Sequence, residues 1–208
     1  MTKPLKNPKP KKKRKHYQVV DDFTKQAHKE GFVARSIFKL QEIDQKIKLF
    51  QKGQKILDLG ASPGSWMQFA SNKIGPTGVV VGLDIVELRV SAANMHFFMQ
   101  DMTDIEGVIS HVGEWAPFDI IQSDAMVKTN GIVDSDCAKS IQLVESGILL
   151  AQSELLKSGG IFLAKIFEGP GFNPFWNEFR MTFKGSKVFR PEAIRKGSRE
   201  IYIMGYKK

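Results

Sequence analysis

A single cysteine, Cys137, excludes an internal disulfide and fits a reducing compartment. Near the start of an apolar-periodic helix, it reads as a small core residue and not as a nucleophile. The four histidines, His16, His28, His96 and His111, are scattered without metal-ligand spacing, so no metal site is expected. No Ser-His-Asp or Cys-His pattern stands out. Both G-x-G-x-x-G and G-x-x-x-x-G-K-S/T are missing, which weakens dinucleotide and P-loop readings. No apolar run approaches membrane-spanning length, and the first residues lack the hydrophobic stretch of a signal peptide. A cytoplasmic protein without a membrane partner is therefore expected. Acidic residues are absent from positions 1–15.

That last absence locates the charge. The formal net charge is +9, and "MTKPLKNPKPKKKRK" holds eight Lys/Arg, so residues 16–208 carry only +1. Residues 1–15 are expected to form a flexible basic arm, and residues 16–208 a single domain. The arm could add phosphate contacts to RNA, or serve only as a solubilising extension. A hydrophobic share of 42% over 208 residues supports one sizeable core in the body.

Within the body, apolar runs alternate with helical spacing. Ile37, Leu40, Ile43 and Ile47 mark a helix; "QKILDLG" reads as a strand, and "SPGSWMQFASNKI" as a helix entered through Pro63. "VVVGLDI", "HFFMQD" (ending at Asp101) and "PFDIIQSD" follow as strands. A long helix starts near Asp134 and is expected to stop at Gly159-Gly160. "GGIFLAKIF" is a fifth strand. "FNPFWNEFRMTF" puts Phe172, Phe175, Phe179 and Phe183 on one helical face, as core packing, not as a base-stacking platform. "SKVFRP" and "REIYIMGYKK" finish the chain as two strands. This order predicts a mostly parallel α/β sheet with helices on both faces and an antiparallel last strand.

Ligands of such sheets bind beyond the carboxyl ends of the strands. Asp58, Asp84, Asp101, Asp124 and Lys165 all fall near such ends. Gly60 and Gly64 flank a strand-to-helix turn in "LDLGASPGSW". An acid after the next strand, Asp84, can accept from both hydroxyls of a ribose, and Asp101 from an adenine amino group. S-adenosylmethionine suits this set better than NAD, because the turn has no pyrophosphate to cradle. A structural turn with capping carboxylates is the alternative. Trp66 reads either as a wall of that pocket or as core. Lys165 stands in an apolar strand, where an unpaired ammonium is costly. It is a candidate general base, or half of a structural ion pair with Asp124. Taken singly, Lys39 and Glu200 read as solvent-facing residues.

"ARSIFKLQEID", "LDLGASPGSW", "GLDI", "SD" at 123–124, "GGIFLAKIFEGPGF" and "SREIYI" occur in this order over residues 21–208. In this the chain resembles the FtsJ-like (RrmJ-type) ribosomal RNA 2′-O-methyltransferases. The resemblance implies a Rossmann-like S-adenosylmethionine-dependent methyltransferase fold with a seven-stranded sheet. It also implies a catalytic set of Lys39, Asp124, Lys165 and Glu200, with cofactor contacts from Gly64, Trp66, Asp84, Asp101 and Asp124. In that set Lys165 is expected to act as the base, oriented by Asp124, with Lys39 and Glu200 holding it and the ribose. The implied substrate is a uridine of the A-loop of 23S rRNA in the large ribosomal subunit, modified by a monomer. DNA, lacking the 2′-hydroxyl, is excluded. Two alternatives remain: the same reaction on transfer RNA, and a catalytically silent ribosome-binding assembly factor. Where the family commonly reads Ser-Asp-Met-Ala-Pro-Asn, this chain has "SDAMVKTNG", without the proline and with Lys128 added.

Overall fold

A computed structural model describes residues 22–195 and 197–208. The arm expected over residues 1–15 lies outside the described residues. Five apolar runs form β1 (Lys55–Leu59), β2 (Val79–Asp84), β3 (Met95–Met99), β4 (Phe118–Ser123) and β5 (Leu156–Phe167). They pair in parallel, and β6 (Phe183–Phe189) and β7 (Glu200–Lys207) complete a seven-stranded sheet in the order β3-β2-β1-β4-β5-β7-β6. As expected, β7 is antiparallel; it pairs with both β5 and β6.

Parallel strands read as near-continuous apolar runs because both faces are covered. In β1, Ile56 faces one core while Leu57 and Leu59 face the other. The first core is closed by α1 (Asp22–Lys29), α2 (Ile37–Ile47) and α3 (Ser65–Ile74). The second is closed by α4 (Ile105–Val112), α5 (Val133–Gln152) and α6 (Phe172–Thr182). The phenylalanine stripe is core, though not all of it helical: Phe172, Phe175 and Phe179 are buried on α6, whereas Phe183 opens β6 and is buried with its ring 4.7 Å from that of Phe179. Cys137 is buried on α5.

The structure departs from the sequence reading at three points. The long helix ends at Gln152, where the Ser153 N–H donates to Leu149 O (3.1 Å). Gly159 and Gly160 lie instead inside β5, where its register with β4 shifts between Phe118 and Ile120. At Gly160 a Cβ would lie 2.8 Å from the Lys157 carbonyl oxygen, so the irregular backbone there, not a helix stop, demands the glycine. Second, α4 is a helix where the apolar pattern announces none. Asp104 caps it, its carboxylate accepting from the Gly107 N–H, and Val108 and Val112 point into the core. Third, β3 stops at Met99, which leaves Asp101 in the following loop.

The topology gathers charge at one edge. Asp84 ends β2, Asp124 follows β4, and Lys165 lies two residues from the end of β5. Because β7 runs the other way, its first residue, Glu200, starts where its neighbours finish and pairs with Phe167. Asp58 does not reach this rim. It sits one layer lower, 1% exposed, opposite Gln122 in the β1–β4 register.

Candidate active site

A cavity of about 710 Å³ opens at the carboxyl edge of the sheet. Lys39, Asp124, Lys165 and Glu200 line it, together with Gly60, Asp84 and Asp101. Gly64 and Trp66 do not. Gly64 is roofed by the chain beyond β2, where a Cβ would lie 2.3 Å from Val90 Cγ2. Trp66 is 2% exposed, donates from Nε1 to Ser36 O (3.1 Å) and stacks on Tyr202 at 5.7 Å.

One end of the cavity is built from the turn after β1 and the loops after β2 and β3. Gly60 has φ +74, and a Cβ there would fall 2.5 Å from the Ala125 Cβ, so the backbone is bare at this point by necessity. The Asp84 carboxylate accepts from the Ser62 N–H through Oδ2 and the Val86 N–H through Oδ1, both at 2.9 Å. Each oxygen retains lone-pair capacity for a further donor. Asp101 holds its own loop by accepting from the Thr103 N–H (2.9 Å) and hydroxyl (2.8 Å) through Oδ1. Two carboxylates disfavour a phosphate and favour hydroxyl and amino donors. This donor set, with the bare glycine turn, fits the nucleoside of S-adenosylmethionine.

At the other end the four candidate catalytic residues converge. Lys165 is 7% exposed, and its Nζ donates to the Asp124 carbonyl at 2.7 Å and lies 3.2 Å from Asp124 Oδ1. Lys39, projecting from α2, forms an ion pair with Glu200. The two pairs are joined by a residue that motif reasoning passes over. Tyr202 pairs directly with Lys165 across β5 and β7, so both side chains emerge on the α2 face. Its hydroxyl lies 2.7 Å from Asp124 Oδ1 and 2.9 Å from Glu200 Oε1, and its single proton serves one of them at a time. The Lys39 ammonium sits 5.9 Å above its ring. Burial, then the charges of Asp124 and Glu200, push the Tyr202 hydroxyl well above its ordinary pKa, so it stays protonated. The signal is present in "SREIYI": a tyrosine two residues after Glu200 shares its face of the strand.

Beneath this layer lies Asp58. Burial raises its carboxyl well above the usual range, and Asp124 and Asp84 add to the rise. Gln122 is near enough to oppose the rise, yet no hydrogen bond of ordinary geometry joins the two side chains.

A cavity that fits a nucleoside and a lysine-carboxylate cluster at the open edge of this sheet are what an α/β methyltransferase requires. A family model of the FtsJ-like methyltransferases matches residues 32–208. A relative from Bdellovibrio bacteriovorus named ribosomal RNA large subunit methyltransferase E is 41% identical, covering 92% of this chain and 98% of its own. One of the same name from Syntrophobacter fumaroxidans is 42% identical over 91% and 96%. Among solved structures, one described as a ribosomal RNA methyltransferase from Plasmodium falciparum superposes with a TM-score of 0.74 at 25% identity, covering 85% of this chain and 98% of that one. The chain belongs to the FtsJ-like methyltransferase family. Its cofactor is S-adenosylmethionine. No helix among the described residues is long and apolar enough to cross a membrane.

Proposed function

We propose that this protein methylates the ribose 2′-hydroxyl of a uridine in the A-loop of 23S rRNA, acting on the large ribosomal subunit as a cytoplasmic monomer. The observation that carries the reading is the buried Lys165 amine held at two points by Asp124 in the cavity. S-adenosylmethionine supplies, when bound, a methyl group already activated on a sulfonium. Gly60, Asp84 and Asp101 hold its nucleoside. What remains for the protein is to place the hydroxyl and remove its proton.

A neutral lysine amine has two hydrogens and one lone pair. With one hydrogen given to the Asp124 carbonyl and the other facing its carboxylate 3.2 Å away, the lone pair of Lys165 is left for the ribose hydroxyl. Lys165 then takes the proton, and Asp124 stabilises the ammonium that forms. The Tyr202 hydroxyl ties Asp124 to Glu200, and Lys39 balances the glutamate's charge. The second lysine thereby keeps the cluster from accumulating negative charge that would hold Lys165 protonated.

The test supplies methyl-labelled S-adenosylmethionine and purified protein with unmethylated large subunits, transfer RNA or DNA, and maps the product. Label on one ribose of the large-subunit RNA is the expected outcome. Label on a base, or transfer only to transfer RNA, would overturn the assignment. Binding to subunits without any transfer would establish an assembly factor instead.

A further inference from the structure

One segment at the cavity has no role in the chemistry above: residues 125–131, "AMVKTNG", between β4 and α5. Its first residue is pinned. The Ala125 N–H donates to Ser123 Oγ (3.2 Å), the Ser123 hydroxyl donates to Leu59 O (3.0 Å), and the Ala125 Cβ fills the space above Gly60. Its successor, Met126, is 65% exposed and lines the same cavity as Asp124 and Lys165. Leu143 of α5 and Phe167, two residues beyond Lys165, line it as well.

The cationic lining enters from elsewhere. Lys39 belongs to α2, and Arg35 precedes that helix, its Nη2 donating to Ala193 O (2.6 Å) in the loop before β7. Arg195 in the same loop also lines the cavity. Beside the carboxylates already described, the cavity lining thus carries an apolar group and, separately, cations contributed by different elements.

A nucleotide is divided in the same way: a base with two apolar faces, and phosphates that seek cations. Once the ribose hydroxyl is at Lys165, the base has an apolar group to rest on. We propose that Met126, with Leu143 and Phe167, is the seat of the acceptor nucleotide's base. The inference rests on the ribose-methylation reading. A flexible, polarisable thioether suits the face of a base and makes favourable sulfur–aromatic contacts. Contact with a face positions a nucleotide without reading its hydrogen-bonding edge, so Met126 tightens binding and leaves base identity to other contacts.

The test measures methylation of unmethylated large subunits by wild type, Met126→Ala and Met126→Leu. Met126→Ala raises KM for subunits about tenfold, the loss expected for one buried apolar side chain. It leaves kcat and S-adenosylmethionine affinity unchanged, and Met126→Leu restores most of the loss. In parallel, p-benzoylphenylalanine replacing Met126 is irradiated on the subunit, and its cross-links fall on the acceptor nucleotide or its immediate neighbour. An unchanged KM in Met126→Ala, or cross-links only to distant nucleotides, would overturn the base seat while leaving the activity standing. Absence of ribose methylation by the wild type would remove both.

Discussion

Lys165 and Asp124 meet twice, through the aspartate's backbone carbonyl at 2.7 Å and its carboxylate at 3.2 Å. The carbonyl contact survives loss of the Asp124 side chain, whereas nothing substitutes for the amine. Lys165→Ala is therefore expected to lower single-turnover methyl transfer by about a thousandfold, inside the range of ~10²–10⁴ for a positioned base. Cofactor affinity, measured by calorimetry, should stay within about twofold, because Gly60, Asp84 and Asp101 are untouched. Near-normal turnover would remove the lysine from the mechanism.

Tyr202→Phe deletes one hydroxyl and leaves the ring stacked on Trp66. Hydrogen bonds to charged groups contribute about 1.5–3 kcal/mol. A fall in kcat of about tenfold or more follows, with little change in KM. Because the raised pKa keeps this proton above the ordinary value of about 10, phenolate absorbance should rise equally in wild type and variant through that region. A missing tyrosine equivalent near pH 10 in the variant would show that the residue titrates normally.

Gly60→Ala puts a methyl group 2.5 Å from the Ala125 Cβ at a φ of +74. Left-handed strain alone costs about 1–3 kcal/mol, and relief of the clash displaces Ala125, the neighbour of Asp124. Cofactor affinity should fall at least tenfold and the melting temperature should drop. Unchanged binding would show that the turn does not cradle the nucleoside.

Asp58 carries a pH signature. Its folded-state pKa is raised, so the folded state holds the proton more tightly than the unfolded chain. Stability is lost as pH climbs past the unfolded value of about 3.9 and keeps falling until the folded value is passed. Asp58→Asn, which cannot ionise, is expected to melt above wild type at neutral pH, with the gap closing as pH approaches about 4. A gap that widens toward acid would contradict the assignment.

Residues 1–15 bring eight Lys/Arg without an acid. Their deletion should weaken RNA binding and flatten its salt dependence by up to about 0.7 of a log–log unit for each single-strand phosphate that is no longer neutralised. An unchanged slope would leave the segment as a passive extension.

What the sequence discloses follows from physical signal strength. The five parallel strands are legible because burial on both faces writes uninterrupted apolar runs such as "VVVGLD" and "IFLAKIF". Lys165 is legible as an exception within such a run. Helix α4 escapes because eight residues with a local aspartate cap resemble the loops around them. Gly159-Gly160 misleads because a glycine pair marks equally a helix end or an irregular strand, and only the β4 register decides. Trp66 is ambiguous until its partner is known: it supports the cluster through Tyr202 and not through the cavity wall. Tyr202 itself is hidden by its type, since a tyrosine in a terminal strand ordinarily signals packing.

The sheet order carries one more implication. Strand β7 is wedged between β5 and β6, both earlier in the sequence, and it delivers Glu200 and Tyr202. The cluster is therefore complete only once β7 has inserted between two strands that precede it in the sequence, however well the elements before it have folded.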